Sequence, residues 1–115
     1  MKSLKNCVKL SSRITVYVPA THAINQQVDN SEQVDRVASV LSECFGGATS
    51  TPAIGYWMSS NNGLVRENTT VVFSYATESA LKTNIEKIIS LCEELKDSMK
   101  QESVALDVNG EMYFI

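Results

Sequence analysis

Leu81, Ile85, Ile88, Cys92, Leu95 and Met99 follow one another at gaps of 4, 3, 4, 3 and 4 residues, which puts all six on one stripe of a helix. A stripe of that length has to be buried against something. Its heptad spacing would suit a coiled coil, but Ile89 and Leu91 widen the apolar arc toward the breadth of a helix that lies on a sheet. The pattern therefore predicts a core helix that needs strands beside it. Thr77 is its expected N-cap, with Glu78 in the first turn where a negative charge complements the helix dipole. Glu78, Lys82 and Glu86 form a solvated outer row of i,i+4 pairs.

The strands are legible on either side. RITVYVP alternates Ile14, Val16 and Val18 against Thr15 and Tyr17, and Pro19 closes the run. The polar loop ATHAINQQVDN leads to Asn30 and Ser31, either of which can cap a first helix carrying Val34, Val37, Ala38, Leu41, Cys44 and Phe45. Gly46 is placed to end that helix, because the residue after a C-cap usually needs positive φ. Ser50 to Met58 reads as extended, with Pro52 restricting it to an edge, and Asn61, Asn62 and Gly63 turn the chain back into a strand from Leu64 to Tyr75. In that strand Thr69, Val71, Phe73 and Tyr75 share a face. Asn109-Gly110 is a two-residue hairpin signal that pairs Leu106 with Tyr113 and Val104 with Ile115, leaving Ala105 and Phe114 on the opposite face.

The resulting order is β-α-β-β-α-β with an extra C-terminal strand, an α+β, ferredoxin-like sandwich over residues 13–115, preceded by a basic N-terminal arm over residues 1–12. Right-handed crossovers put both helices on one face of the sheet. Tyr17, Val72 and Phe114 are expected on the other face, where a homodimer partner or a ligand should cover them.

A chain of 115 residues with 43% hydrophobic and 20% charged content fits one globular domain. No apolar run is long enough for a membrane helix, and MKSLKNCVKL lacks the h-region of an export signal. Cys7, Cys44 and Cys92 are an odd set without CxxC spacing, which fits reduced thiols in a cytoplasm. The net charge of -3 is uneven, since Lys2, Lys5, Lys9 and Arg13 precede the first acid, Asp29. The remainder is acidic and argues against a nucleic-acid partner; the basic arm reads as a solvated terminus.

Catalytic residue types are sparse. His22 is the single histidine, so no multi-histidine metal site exists, and no Walker loop, GxGxxG or GxSxG motif occurs. No cofactor is implied. Gly46-Gly47 with Ala48, Thr49 and Ser50 could cradle an anion, but a helix C-terminus repels one, so a tight exit turn is the better reading. Trp57 and Glu67 lie about opposite each other in a hairpin centred near Asn61 and Asn62. The carboxylate could meet the indole N–H or a ligand beside it; the plainer alternative is a packed tryptophan with a rim glutamate. Tyr56, Tyr75 and Glu102 are the other polar groups that the topology could bring to that end.

The run Phe45-Gly46-Gly47-Ala48-Thr49, followed by Gly55-Tyr56-Trp57, Gly63 and Glu67, resembles an FGG-x-T…G-x-W…G…E hairpin of small bacterial and mobile-element proteins of uncharacterised activity. The resemblance covers most of the chain after Arg13, including ITVYVPAT and QESVALDVNGEMYFI. It implies a compact α+β domain and, where members travel with phages or plasmids, a role in counter-defence.

Together these features point to a cytoplasmic, non-enzymatic binding protein that sequesters a small polar or nucleotide-like ligand at Thr49, Tyr56, Trp57, Glu67, Tyr75 and Glu102. A small hydrolase or lyase with Glu67, Glu102 or His22 as general base is one alternative. A protein-binding inhibitor with an acidic surface is another.

Overall fold

The computed structural model describes residues 1–23 and 26–115. After a 3-10 turn at Leu4–Asn6 come β1 (Ser12–Pro19), a short ribbon of β2 (Thr21–His22) and β3 (Gln26–Gln27), and α1 (Ser31–Phe45). The hairpin β4 (Thr49–Ser59) and β5 (Gly63–Ala76) follows, then α2 (Glu78–Ser98) and the hairpin β6 (Ala105–Val108) and β7 (Glu111–Phe114). The main sheet runs β4-β5-β1-β6-β7 with every neighbouring pair antiparallel. This is the ferredoxin-like α+β order with one added edge strand, β7. The loop predicted after Pro19 carries the β2–β3 ribbon instead; its residues 24 and 25 lie outside the described ones.

Local chemistry explains the boundaries. Thr77 Oγ1 accepts the Ala80 N–H and starts α2 as expected. Gly46 ends α1 at φ 95°, and its N–H donates to the Ser42 carbonyl. Asn30 occupies the N-cap of α1 but caps nothing: its amide donates to the Val18 and Pro19 carbonyls and to Thr70 Oγ1, tying the helix start to the sheet. Asp29 Oδ1 takes the Ser31 N–H in its place. The Ser31 hydroxyl first, and that N–H second, hold the Asp29 carboxyl below its ordinary value. Asn109 and Gly110 turn β6 into β7 at φ 55° and 87°, both left-handed as a type I′ turn requires.

The core lies between the helices and one face of the sheet. Ile14, Val16 and Val18 of β1 meet Val37, Val40 and Leu41 of α1 and Ile88, Leu91, Cys92 and Leu95 of α2. The α2 seam is buried from Leu81 to Met99 apart from the half-buried Ile85, so the sheet, and no coiled-coil partner, covers it. Val72, expected on the outer face, is 0% exposed. It pairs with Val16, and side chains alternate from there, so Val71, Phe73 and Tyr75 face outward and Val72 inward. Register decides this, because a one-residue step exchanges the two faces.

The β4–β5 hairpin outruns the rest of the sheet. β1 pairs with β5 only from Thr69 to Ala76, whereas β4 pairs with β5 out to Ser59 and Gly63. Residues 54–68 therefore form a two-stranded arm, and the molecule measures 57 × 28 × 22 Å.

Candidate functional site

Alternation in the sheet places Gly55 and Trp57 of β4, Glu67 and Thr69 of β5, Tyr17 and Pro19 of β1, and Ala105 of β6 on the helix-free face. Phe114 of β7, opposite Ala105, shares that face. These positions form a transverse row at the base of the arm. They line a groove of about 400 Å³ with Gln101 and Ser103, continuous with one of about 580 Å³ walled by Trp57, Glu67, Lys100, Gln101, Glu102 and Phe114.

The chain segment after α2 is held in place by a tertiary staple. Lys100 leaves the helix at φ 55°, and the Gln101 side-chain amide donates to the carbonyls of Thr21 (2.8 Å), Ala23 (3.2 Å) and Met99 (3.2 Å). The Ala23 N–H donates to the Met99 carbonyl at 2.9 Å. Glu102 thus enters the groove wall from a fixed backbone, and Glu67 of the arm lines the same groove. Two carboxylates and an indole on a concave, partly apolar surface suit a cationic ligand with a flat ring. Carboxylates lower the energy of a positive charge, and an indole face attracts either a cation or a stacked heterocycle.

The residues picked out in the sequence fall into three places. Trp57, Glu67 and Glu102 meet in the groove. Glu67 pairs with Gly55 and not with Trp57, whose partner is Val65, so the two are diagonal neighbours on one face; the turn between Ser59 and Gly63 centres on Asn61, one register step from a turn centred between Asn61 and Asn62. Tyr56 adjoins the groove only through its place on the strand. Its ring belongs to the other face of the arm, where the Arg66 guanidinium lies 5.6 Å from its centroid. Thr49 and Tyr75 are at the far end of the sheet, beside the Gly46-Gly47 turn. From Thr49 to Trp57 β4 runs eight residues, roughly 26 Å at strand rise. The packed-tryptophan reading does not hold either, since Trp57 is 44% exposed.

Tyr17 and Phe114, expected on the helix-free face, complete the groove together with Gln101 and Ser103, which the sequence does not single out. Tyr17 and Phe114 carry a signal, because outward aromatic residues on a sheet face need a cover. Gln101 and Ser103 carry none. Among the described residues no group of three or more His, Cys, Asp and Glu side chains is arranged to hold a metal.

No family model matches the sequence, and no curated protein matches it. Solved structures do. A phage SAM lyase in complex with S-methyl-5′-thioadenosine superposes with a TM-score of 0.67 at 15% identity, over 99% of this chain and 95% of the lyase. A phage SAM lyase in the apo state gives 0.62 at 17% identity, over 91% and 88%. CutA from Synechococcus elongatus gives 0.52 at 13% identity, over 87% and 76%. At these identities the likeness is one of fold. No helix of the described chain is long and apolar enough to cross a membrane.

Proposed function

We propose that the groove between the β4–β5 arm and residues 101–103 binds an adenosyl sulfonium, S-adenosylmethionine, and cleaves it to S-methyl-5′-thioadenosine. The observation that carries this reading is the meeting of Trp57, Glu67 and Glu102 in one groove of a fold that covers a phage SAM lyase almost end to end. In the proposed complex Trp57 stacks on the adenine or faces the sulfonium, and the two carboxylates attract its positive charge.

Cleavage breaks a carbon–sulfur bond of the sulfonium, with the electron pair going to sulfur, so the nucleoside leaves as a neutral thioether. The amino-acid fragment balances in one of two ways. It loses the proton of the adjacent carbon to Glu67 or Glu102 and leaves as an alkene, or its own carboxylate closes on the carbon that bore sulfur and forms a lactone. Holding a cation that is discharged in the transition state differs from binding it tightly in the ground state, and only the former accelerates the reaction.

Chromatography of S-adenosylmethionine incubated with the protein tests the proposal. The expected result is stoichiometric S-methyl-5′-thioadenosine, with loss of product in Glu67→Gln. Retention of intact S-adenosylmethionine without turnover would return the protein to the sequestering class. No binding and no product would overturn the reading. Removal of a methyl donor, like sequestration of a nucleotide-like signal, would serve the counter-defence role that the mobile-element resemblance implies.

The same reading includes a second copy of the chain. Ile54, Tyr56, Met58 and Leu64 on the arm, and Met112, Tyr113 and Phe114 on the β7 edge, are all exposed. Self-association through the arm and the helix-free face would remove that apolar surface from water and shelter the groove.

A further inference from the structure

Thr49 and Tyr75, separated from the groove, line a pocket of their own. It measures about 450 Å³, within the range of small-molecule sites, and its apolar walls come from Leu10, Phe45, Phe73 and Tyr75. One rim is the Gly46-Gly47 turn, fastened by the Ser74 hydroxyl, which donates to the Gly47 carbonyl.

Arg13 stands directly across from Tyr75 in the β1–β5 register. Its guanidinium carbon lies 4.3 Å from the Phe73 ring centroid and 5.6 Å from that of Tyr75, and the two rings meet edge to face at 6.1 Å. Arg36, Lys82 and Lys87 each pair with a glutamate, whereas Arg13 has no carboxylate partner among the described residues, nor a side-chain hydrogen bond. A planar cation is thus held by two aromatic rings with its N–H donors unspent, a preorganised arrangement for a phosphate. Lys2, Lys5 and Lys9 precede it with no acid before Asp29, so a basic, acid-free stretch of the chain leads to this pocket.

We infer that this end of the sheet is a second binding site, which takes a nucleobase carrying a phosphate. Tyr75, Leu10 and Phe45 form the slot for the base, and Tyr75, 48% exposed, offers its ring for stacking. Polarity sets the orientation. The last carbonyls of α1 accept hydrogen bonds from the base edge and repel a phosphate, which therefore turns toward Arg13 and the basic arm. The ligand comes either as a free nucleotide or as the end of a single strand; both present the same chemistry.

Equilibrium dialysis of the full-length protein with AMP, ATP, adenosine, inorganic phosphate and a short oligothymidylate tests the site. AMP or ATP binding should exceed that of adenosine and of phosphate, because both halves of the ligand are read. A free-nucleotide site binds AMP or ATP more tightly than the oligonucleotide, and a strand-end site the reverse; either result supports the inference. Arg13→Lys keeps the charge but loses the planar stack, and Tyr75→Leu keeps apolar bulk but loses the ring; each should weaken binding by about tenfold. Trp57→Phe and Glu67→Gln should leave unchanged the part of this binding that Arg13→Lys weakens, which separates it from the groove. A variant whose circular dichroism differs from the parent is replaced by Thr49→Phe, which narrows the same rim. Phosphate binding as tightly as AMP, binding lost in the groove variants but kept in Arg13→Lys, or no binding of any probe would overturn the inference.

Discussion

Trp57 and Glu67 lie on the same face of the β4–β5 ribbon two residue pairs apart, Trp57 across from Val65 and Glu67 across from Gly55, with the Tyr56–Arg66 pair between them on the other face. The tryptophan is therefore adjacent to a glycine-backed carboxylate, and the missing side chain at Gly55 leaves the space between them open. A Cβ at Gly55 would lie 3.8 Å from the Glu67 carbonyl oxygen, an ordinary contact, so Gly55→Ala should fold normally.

Glu67→Gln should leave the unfolding free energy within about 0.5 kcal/mol of the parent, as expected for a partly exposed rim group, while lowering groove ligand affinity by about tenfold or more. Differential scanning calorimetry paired with titration calorimetry separates the two effects. A loss of stability equal to the loss of affinity would mean that Glu67 is structural.

Ile88→Ala should destabilise the fold by about 2–5 kcal/mol, because Ile88 is 0% exposed between α2 and the sheet and the cavity left would refill only in part. Urea unfolding measures it. An unchanged midpoint would contradict the burial of the seam.

The three thiols should react in order of exposure. Cys7 is exposed, Cys44 half-buried and Cys92 buried; burial first, and the Glu93 charge second, push the Cys92 thiol up to about 12. At pH 8 a thiol reagent should modify Cys7 at once and Cys92 only on unfolding, since the thiolate is the reactive form. Rapid modification of Cys92 in the native protein would show that α2 opens locally.

Met58→Glu combined with Phe114→Glu should reduce self-association without loss of helix content, because both side chains are exposed, at 73% and 72%. Sedimentation at tens of micromolar, on the order of an ordinary subunit dissociation constant, reads the change. A parent protein already monomeric there would remove the second copy from the proposal.

Helices, turns and strand order were legible in the sequence because their causes are local. The gaps from Leu81 to Met99 fix a buried stripe, Thr77 and Gly46 supply cap chemistry within a turn of where they act, and Asn109-Gly110 demands left-handed φ at two adjacent positions. Even the pairing of Leu106 with Tyr113 follows from a loop of two residues.

What the sequence could not decide depends on register and on distance through space. Alternation misplaces Val72 because the more apolar face of β5, with Val71, Phe73 and Tyr75, is the one turned outward, and only the pairing with Val16 turns Val72 inward. The three-residue turn between Ser59 and Gly63 sets Glu67 two pairs away from Trp57, on the same face. Tyr56 and Trp57 are neighbours in the chain and point to opposite faces; Thr49 and Trp57 lie on one strand and belong to different pockets. Gln101 had no signal at all, since its role is to bond three carbonyls, two of them about eighty residues away in sequence. Local rules determined which elements form, and packing of the sheet against two helices decided which side chains meet.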